Sequence, residues 1–307
     1  MPRSLDHLRL RDLALLEHVQ RLGTLRQVAQ ALHVSQPAVT QMLHSLEDVF
    51  GVALVERGRR GVRLTPAGEA ACHRLRCGRA EIEQARRAAA EHERPLLRLG
   101  ATPIASLRLL PQAIGQLQRR LPQARVTLTE AGVGALWRQL AEGELDALVG
   151  RLPFPQPPAE GLHHVTVGRE RLVLVARERH PLLRGGVPRG RAQWSERLAR
   201  SGWVLPPGES MALPALHEWF SQAGLPPPVP IVESGSFHAT LQIVSQADLL
   251  GVVPETAARA QGPDLGVLTL RAPWPQPLVD LVFAARELHW DSAPMAALRQ
   301  CFTARRA

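Results

Sequence analysis

Three sets of side chains in this sequence have types that could do chemistry. Cys72, His73 and Cys77 are metal-ligand types in close succession, and Ser236, His238 and Asp248 are the types of a hydrolytic triad. Ser35, Gln36, Thr40 and Gln41 carry polar groups able to bond base edges, and Arg57, Arg59, Arg60 and Arg63 follow as charges able to hold phosphates. Spacing disposes of the first set. At about 100° per residue His73 and Cys77 share a helix face, but Cys72 lies roughly 140° around from Cys77, so at most two of the three reach one ion. Inert thiols and no metal are expected. A triad is defined by geometry, which spacing does not supply, and no Gly-x-Ser-x-Gly elbow, phosphate loop or His-Glu-x-x-His pair accompanies it. No enzymatic activity is expected, and the third set carries the argument.

Base-reading groups need a rigid support, and residues 5–50 read as three short helices. Leu13, Leu16 and Val19 mark the inner face of the first. Thr24 is a natural N-cap for a second helix over Leu25–Leu32, with Val28, Ala29 and Leu32 inward. After a break at His33 and Val34, Ser35 caps a third helix, with Pro37 in its first turn where the missing N–H is harmless. That helix runs to about Phe50, keeping Val39, Leu43 and Leu46 inside and Ser35, Gln36, Thr40 and Gln41 outside. Gly51 ends it. Val52 to Leu64 reads as two short strands around an Arg/Gly turn, and Thr65-Pro66 opens a helix to about His92, roughly 27 residues or about 40 Å. Its stripe Leu75, Gly78, Ile82, Ala85 and Ala89 is a seam for a partner helix.

Past Pro95 strands and helices alternate: Leu97–Ala101, a helix near Ser106–Arg120, Arg125–Glu130, a helix Gly134–Glu142 and Ala147–Val149. This order implies a parallel sheet. A Pro-rich run from Pro153 to Pro158 interrupts it. Strands at Leu172–Ala176, Trp203–Leu205, Val229–Glu233, Leu265–Leu270 and Leu278–Ala284 follow, with helices at Leu213–Ala223, Phe237–Gln246 and Ala293–Cys301. Two α/β lobes fit best.

Composition bounds the setting. The 307 residues hold 37 basic and 28 acidic side chains, net +9, with no Tyr. Every basic one is Arg, a uniformity that reflects codon bias more than selection, so charge alone decides nothing. Residues 1–95 carry +4 and the remainder +5, a modest asymmetry. Two or three domains are expected. Three cysteines make no disulfide framework, Met1–Leu10 is charged throughout, and no run of about 18 apolar residues occurs, so a reducing cytoplasm and no membrane are expected.

Residues 6–95 closely resemble the winged helix-turn-helix and linker helix of LysR-type transcriptional regulators. The family signature is met by Ser35-Gln36-Pro37-Ala38-Val39, Leu46-Glu47, Gly51, Arg57 and Leu64-Thr65-Pro66-Ala67-Gly68; Thr40, Val55 and Val28 depart mildly from it. The resemblance implies a mainly α winged helix-turn-helix over 1–65, a linker and dimerisation helix over 66–94 and an effector-binding domain over 95–307. Lobe I would span about 95–165 and 269–307, and lobe II about 166–268. Thr24, Arg26, Ser35, Gln36, Pro37, Thr40, Gln41 and His44 would meet double-stranded DNA, with Arg57, Arg59, Arg60 and Arg63 on the wing.

More loosely, the remainder resembles the family's two-lobed domain, similar to periplasmic binding proteins. The matches are Leu109-Leu110-Pro111, Gly143 to Gly150, His180-Pro181 and Val252-Val253-Pro254. Gly150-Arg151-Leu152-Pro153 and Ser245 to Leu250 are similar to the branch containing the galactose-binding-protein regulator. Positions matching the family pocket are Thr102, Pro103, Ile104, Gly132, Val133, Gly150 and Arg151, then Ser201, Gly208, Ser210, Phe237 and His238. The resemblance implies no cofactor beyond a small organic effector, for which Arg151 and His238 favour an anion, and a homodimer or homotetramer able to recruit RNA polymerase. Two alternatives are a molybdate-responsive type of regulator, whose β-barrel modules would need many strands, and a small-molecule-binding or enzyme domain with an accessory helical part.

Overall fold

The structure is a computed structural model that describes residues 8–58, 61–90, 96–153, 158, 160–184, 186–208 and 210–303. The chain forms two compact units, one of Met1–Pro95 with Ala141–Glu144 and one of Leu96–Leu140 with Leu145–Ala307.

In the first unit a 3-10 turn, Leu10–Ala14, leads into α1 (Leu15–Leu22), α2 (Leu25–Ala31) and α3 (Gln36–Phe50). Thr24 and Ser35 cap α2 and α3 by accepting from the Gln27 and Ala38 amides. Leu15, Leu16, Val19, Val28, Val39, Leu43 and Leu46 close into one core. An antiparallel ribbon of β1 (Val55–Gly58) and β2 (Gly61–Leu64) follows, then α4 (Pro66–Ala90). One expectation needs correcting: Leu75 does not belong to the seam, because with Ala71 and Cys72 it is buried in this unit's own core. Ile82 is 43% exposed, and Ala85 and Ala89 are also exposed. The expected end of the linker, 91–94, lies outside the described residues.

The second unit is built on β3 (Leu96–Ala101), α5 (Pro103–Ser106), α6 (Leu109–Arg120), β4 (Arg125–Glu130), α7 (Val133–Ala141) and β5 (Ala147–Gly150). Next come β6 (Leu162–Arg177), α8 (Gly190–Ala199), β7 (Gly202–Leu205), α9 (Ala212–Gln222), β8 (Val232–Glu233), α10 (Phe237–Gln246), β9 (Leu249–Pro254) and α11 (Glu255–Gln261). The unit finishes with β10 (Val267–Thr269), β11 (Leu278–Arg286), α12 (Glu287–Trp290) and α13 (Ala293–Thr303). The strands run in the order β4-β3-β5-β11-β6-β9-β7-β8, with β10 on β6. β3 is parallel to β4 and β5, and β7 to β8 and β9. β11 and β6 enter antiparallel, so the sheet is mixed where a parallel one was expected.

Helices cover both faces. Along β6, Leu172, Leu174 and Ala176 join a core with α8 and α9, while Val173 and Val175 join one with α10 and α11. Leu97, Leu99 and Ala101 of β3 pack with α6 and α13. This layering is not the β-barrel that the molybdate-type alternative requires. The expected strand at 172–176 is the end of a 16-residue strand. Its first half escaped notice because His163, His164, Arg169, Glu170 and Arg171 hide the apolar pattern. β6 and β11 pair along their length, with a register shift between Leu281 and Val282. Most of the Pro-rich run, 154–157, lies outside the described residues.

Candidate nucleic-acid interface and ligand cavity

Helix α3 buries Val39, Leu43 and Leu46 and turns Gln36, Pro37, Gln41 and His44 to solvent, with Ser35 exposed at its cap and Thr40 half-buried. Arg26 is exposed on α2, and the Thr24 hydroxyl donates to Gln27 Oε1 at 2.7 Å. Glu47 fastens this helix to the ribbon, since its Oε1 accepts the Leu54 amide at 2.8 Å and the Val55 amide at 3.2 Å. The ribbon also lies on the α1–α2 turn, where Val62 N donates to Gly23 O at 2.8 Å. At Gly61, φ +121°, a Cβ would stand 2.2 Å from that same oxygen, so only glycine fits.

Arg57 and Arg63 are exposed on β1 and β2, and Glu56 stands opposite Arg63 in the register. Arg59 and Arg60 lie outside the described residues. Two residues that the sequence reading missed, Arg9 and Arg11, share a depression of about 310 Å³ with Ala38, Gln41, Met42 and Ser45. Both are exposed. The available signal was an arginine on either side of Leu10, just ahead of the first helix.

In the second unit a cavity of about 290 Å³ opens at the strand ends. Thr102, Pro103 and Ile104 follow β3, Gly132 precedes α7 and Val133 begins it, Arg151 follows β5, Ser210 follows β7, and Phe237 begins α10; all of these line it. Leu172, Val252 and Val279 from β6, β9 and β11 add apolar walls, as do Pro206, Pro207 and Met211. Thr102 is only 5% exposed, and its hydroxyl has no hydrogen-bond partner among the described residues. An unpaired buried hydroxyl costs about 1–3 kcal/mol unless something supplies the bond. Arg151 donates to Leu152 O at 3.2 Å, and its own carbonyl accepts from Trp137 Nε1 at 2.9 Å.

Four expected lining residues are not in this cavity. Gly150 lies beneath Thr102, where a Cβ would meet Thr102 Cγ2 at 2.7 Å, so its part is to let that residue approach. Ser201 precedes β7, at the end of the strand away from Pro206, and its hydroxyl donates to Arg197 O. Gly208 is exposed, one residue beyond Pro207. His238 is exposed on α10, with Nδ1 2.8 Å from Gln261 Oε1.

Ser236, His238 and Asp248 are each engaged elsewhere: Ser236 caps α10, and Asp248 binds Arg177. Burial pushes the Cys72 thiol up, away from the reactive thiolate. Among the described residues, no three His, Cys, Asp or Glu side chains converge as metal ligands, and no helix is long and apolar enough to cross a membrane.

Comparison with known proteins adds independent findings. Residues 10–69 match the family described as bacterial regulatory helix-turn-helix protein, lysR family, and residues 90–307 match the LysR substrate binding domain. The chain is 29% identical to the HTH-type transcriptional regulator PcaQ of Agrobacterium fabrum, over 86% of this chain and 84% of that one. It is 28% identical to the HTH-type transcriptional regulator GbpR of Azospirillum brasilense, over 83% of this chain and 74% of that one. Among solved structures, full-length CbnR in complex with its target DNA matches with a TM-score of 0.60 at 23% identity, covering 97% of this chain and 99% of that one.

Proposed function

The chain belongs to the LysR family of DNA-binding transcriptional regulators with an effector-binding domain, and from that premise we propose how its own residues divide the work. Gln36 and Gln41, with Ser35 and Thr40, read base edges in the major groove. Arg57 and Arg63, together with Arg9 and Arg11 beside Gln41, neutralise phosphates and set the orientation. The exposed stripe of α4 pairs with a second copy, and dimers pair into a tetramer. The regulator acts in the cytoplasm, contacts RNA polymerase and catalyses no reaction.

The effector is a small organic acid held in the cavity at the strand ends. The observation that carries this reading is the buried Thr102 hydroxyl, without a hydrogen-bond partner among the described residues, in a chamber that Arg151 also lines and that is otherwise walled by Ile104, Val133, Leu172 and Phe237. A polar edge on an apolar chamber suits a carboxylate on a compact hydrocarbon body, and about 290 Å³ admits only a small one. Closure of the two halves of the sheet around it would bias how the dimers present their α3 helices.

Calorimetry against benzoate, gluconate and neutral galactose tests the assignment. Benzoate or gluconate binding, weakened at least tenfold by Arg151→Ala and by Thr102→Val, is the expected result. Tight binding of galactose that Arg151→Ala leaves untouched would remove the anion assignment while leaving the cavity as the effector site.

A further inference from the structure

A second depression, of about 530 Å³, lies on the same unit and shares no lining residue with the effector cavity. Arg108, Arg169, Arg171 and Arg259 surround it, with Glu170 and Glu255 as its acids. The acids are already occupied. Glu170 is buried, and its two oxygens accept the Thr256 amide at 2.9 Å and the Thr256 hydroxyl at 2.7 Å. Glu255 binds Arg259 at 2.6 Å, and Asp280, just outside, binds Arg169 at 2.7 Å.

The other two guanidinium groups lack a carboxylate. Among the described residues the Arg171 guanidinium reaches only the neutral Gln276 oxygen, at 3.4 Å, and the Arg108 guanidinium has no hydrogen-bond or ion-pair partner. Like charges facing one depression repel each other, and its four arginines against two glutamates leave the lining with a formal charge of +2. A planar guanidinium offers paired donors that match carboxylate and phosphate oxygens.

We propose that this depression binds a small, multiply charged oxyanion bridging Arg108 and Arg171. Arg108 stands at the start of α6, which packs on the β3 half of the sheet; Arg171 is on β6, and Arg259 is on α11 of the other half. The bound anion ties the two halves together at a place separate from the effector cavity. It makes the response depend on two compounds, the second recognised by charge density and not by an apolar body.

Calorimetry on the full chain with sodium pyrophosphate and, separately, sodium citrate tests this, with sodium chloride holding the ionic strength constant. Saturable binding of either probe is expected, and which one binds distinguishes phosphate from carboxylate recognition. Arg108→Gln, which removes no side-chain hydrogen bond or ion pair among the described residues, and Arg108→Gln with Arg171→Gln are expected to weaken it at least tenfold. Thr102→Val is expected to leave it unchanged. The double variant keeps Arg57 and Arg63, so equal binding by wild type and double variant would place the anion on the DNA-binding surface and overturn the proposal. So would the absence of saturable binding at constant ionic strength.

Discussion

At the scale of single residues, two exposed glutamines and two exposed arginines make different demands on DNA. A side-chain amide on α3 gains energy only from a base edge that matches it, whereas a guanidinium on β1 or β2 gains it from any phosphate. Replacing Gln36 or Gln41 by Ala is therefore expected to cost roughly 1–3 kcal/mol on the specific site and little on random DNA. Arg57→Ala is expected to weaken both and to lower the salt slope by about one unit. Fluorescence anisotropy titrations over a range of salt measure both; equal losses on every sequence for the glutamine variants would remove their reading role. A titrating residue gives a second test. His180 is 3% exposed, and its Nδ1 accepts the Leu182 amide at 3.0 Å. Burial holds its imidazole below the usual range, with Arg177 acting in the same direction and Asp248 against it. As pH falls through about 6.5, the unfolded chain takes up a proton that the folded one refuses, so acid removes stability. Melting temperatures between about pH 7.5 and about pH 5.5 are expected to drop less steeply in His180→Asn than in the parent. Identical slopes would show that other groups set the acid response.

At the scale of elements, the join between ribbon and long helix is fixed by one glycine. A Cβ at Gly68 would stand 1.9 Å from Leu54 O, while Thr65 above it donates its hydroxyl to Ala53 O and accepts the Gly68 amide. Backbone cannot yield as a side-chain tip does. Gly68→Ala is expected to destabilise the first unit by about 2 kcal/mol or more in chemical denaturation, whereas Gly78→Ala, with open space around it, is expected to be neutral or mildly stabilising. Such local geometry was partly legible in the sequence. Thr24 and Ser35 announced their caps, and the apolar period of Val39, Leu43 and Leu46 placed the outward face of α3, because both signals reside within one helix. Long-range pairing was not legible. The strand at 278–284 was read, but neither its antiparallel direction as β11 nor the polar half of β6 shows in a local pattern, and α8, β9 and α11 went unassigned. The same blindness displaced Ser201 and His238 from the expected cavity. Membership of a cavity depends on which end of a strand, or which turn of a helix, faces it, and one residue of offset changes the answer.

At the scale of the whole molecule, the question is what α4 does with the side chains its own unit leaves uncovered. Ala71, Cys72 and Leu75 satisfy the unit's core, and beyond them Ile82, Ala85 and Ala89 remain exposed on a 25-residue helix. About 20 residues of helix span roughly 30 Å, so this second half extends well past the contacts that hold the first. An exposed stripe of small and branched residues lets another helix approach closely, and a copy of α4 is the partner that supplies a matching stripe. Ile82→Glu would place an unpaired charge in that contact, and a buried unpaired charge costs several kcal/mol. Sedimentation velocity at micromolar concentration is expected to show the variant as a smaller species than the parent. Affinity for a two-half-site operator is expected to fall far more than affinity for random DNA, because linking two readers multiplies their local concentration. Ile82→Ala, which keeps the contact apolar, is expected to stay close to the parent in both measurements. If Ile82→Glu sediments and binds like the parent, the stripe faces solvent in the assembled protein and the copies meet through the second unit alone.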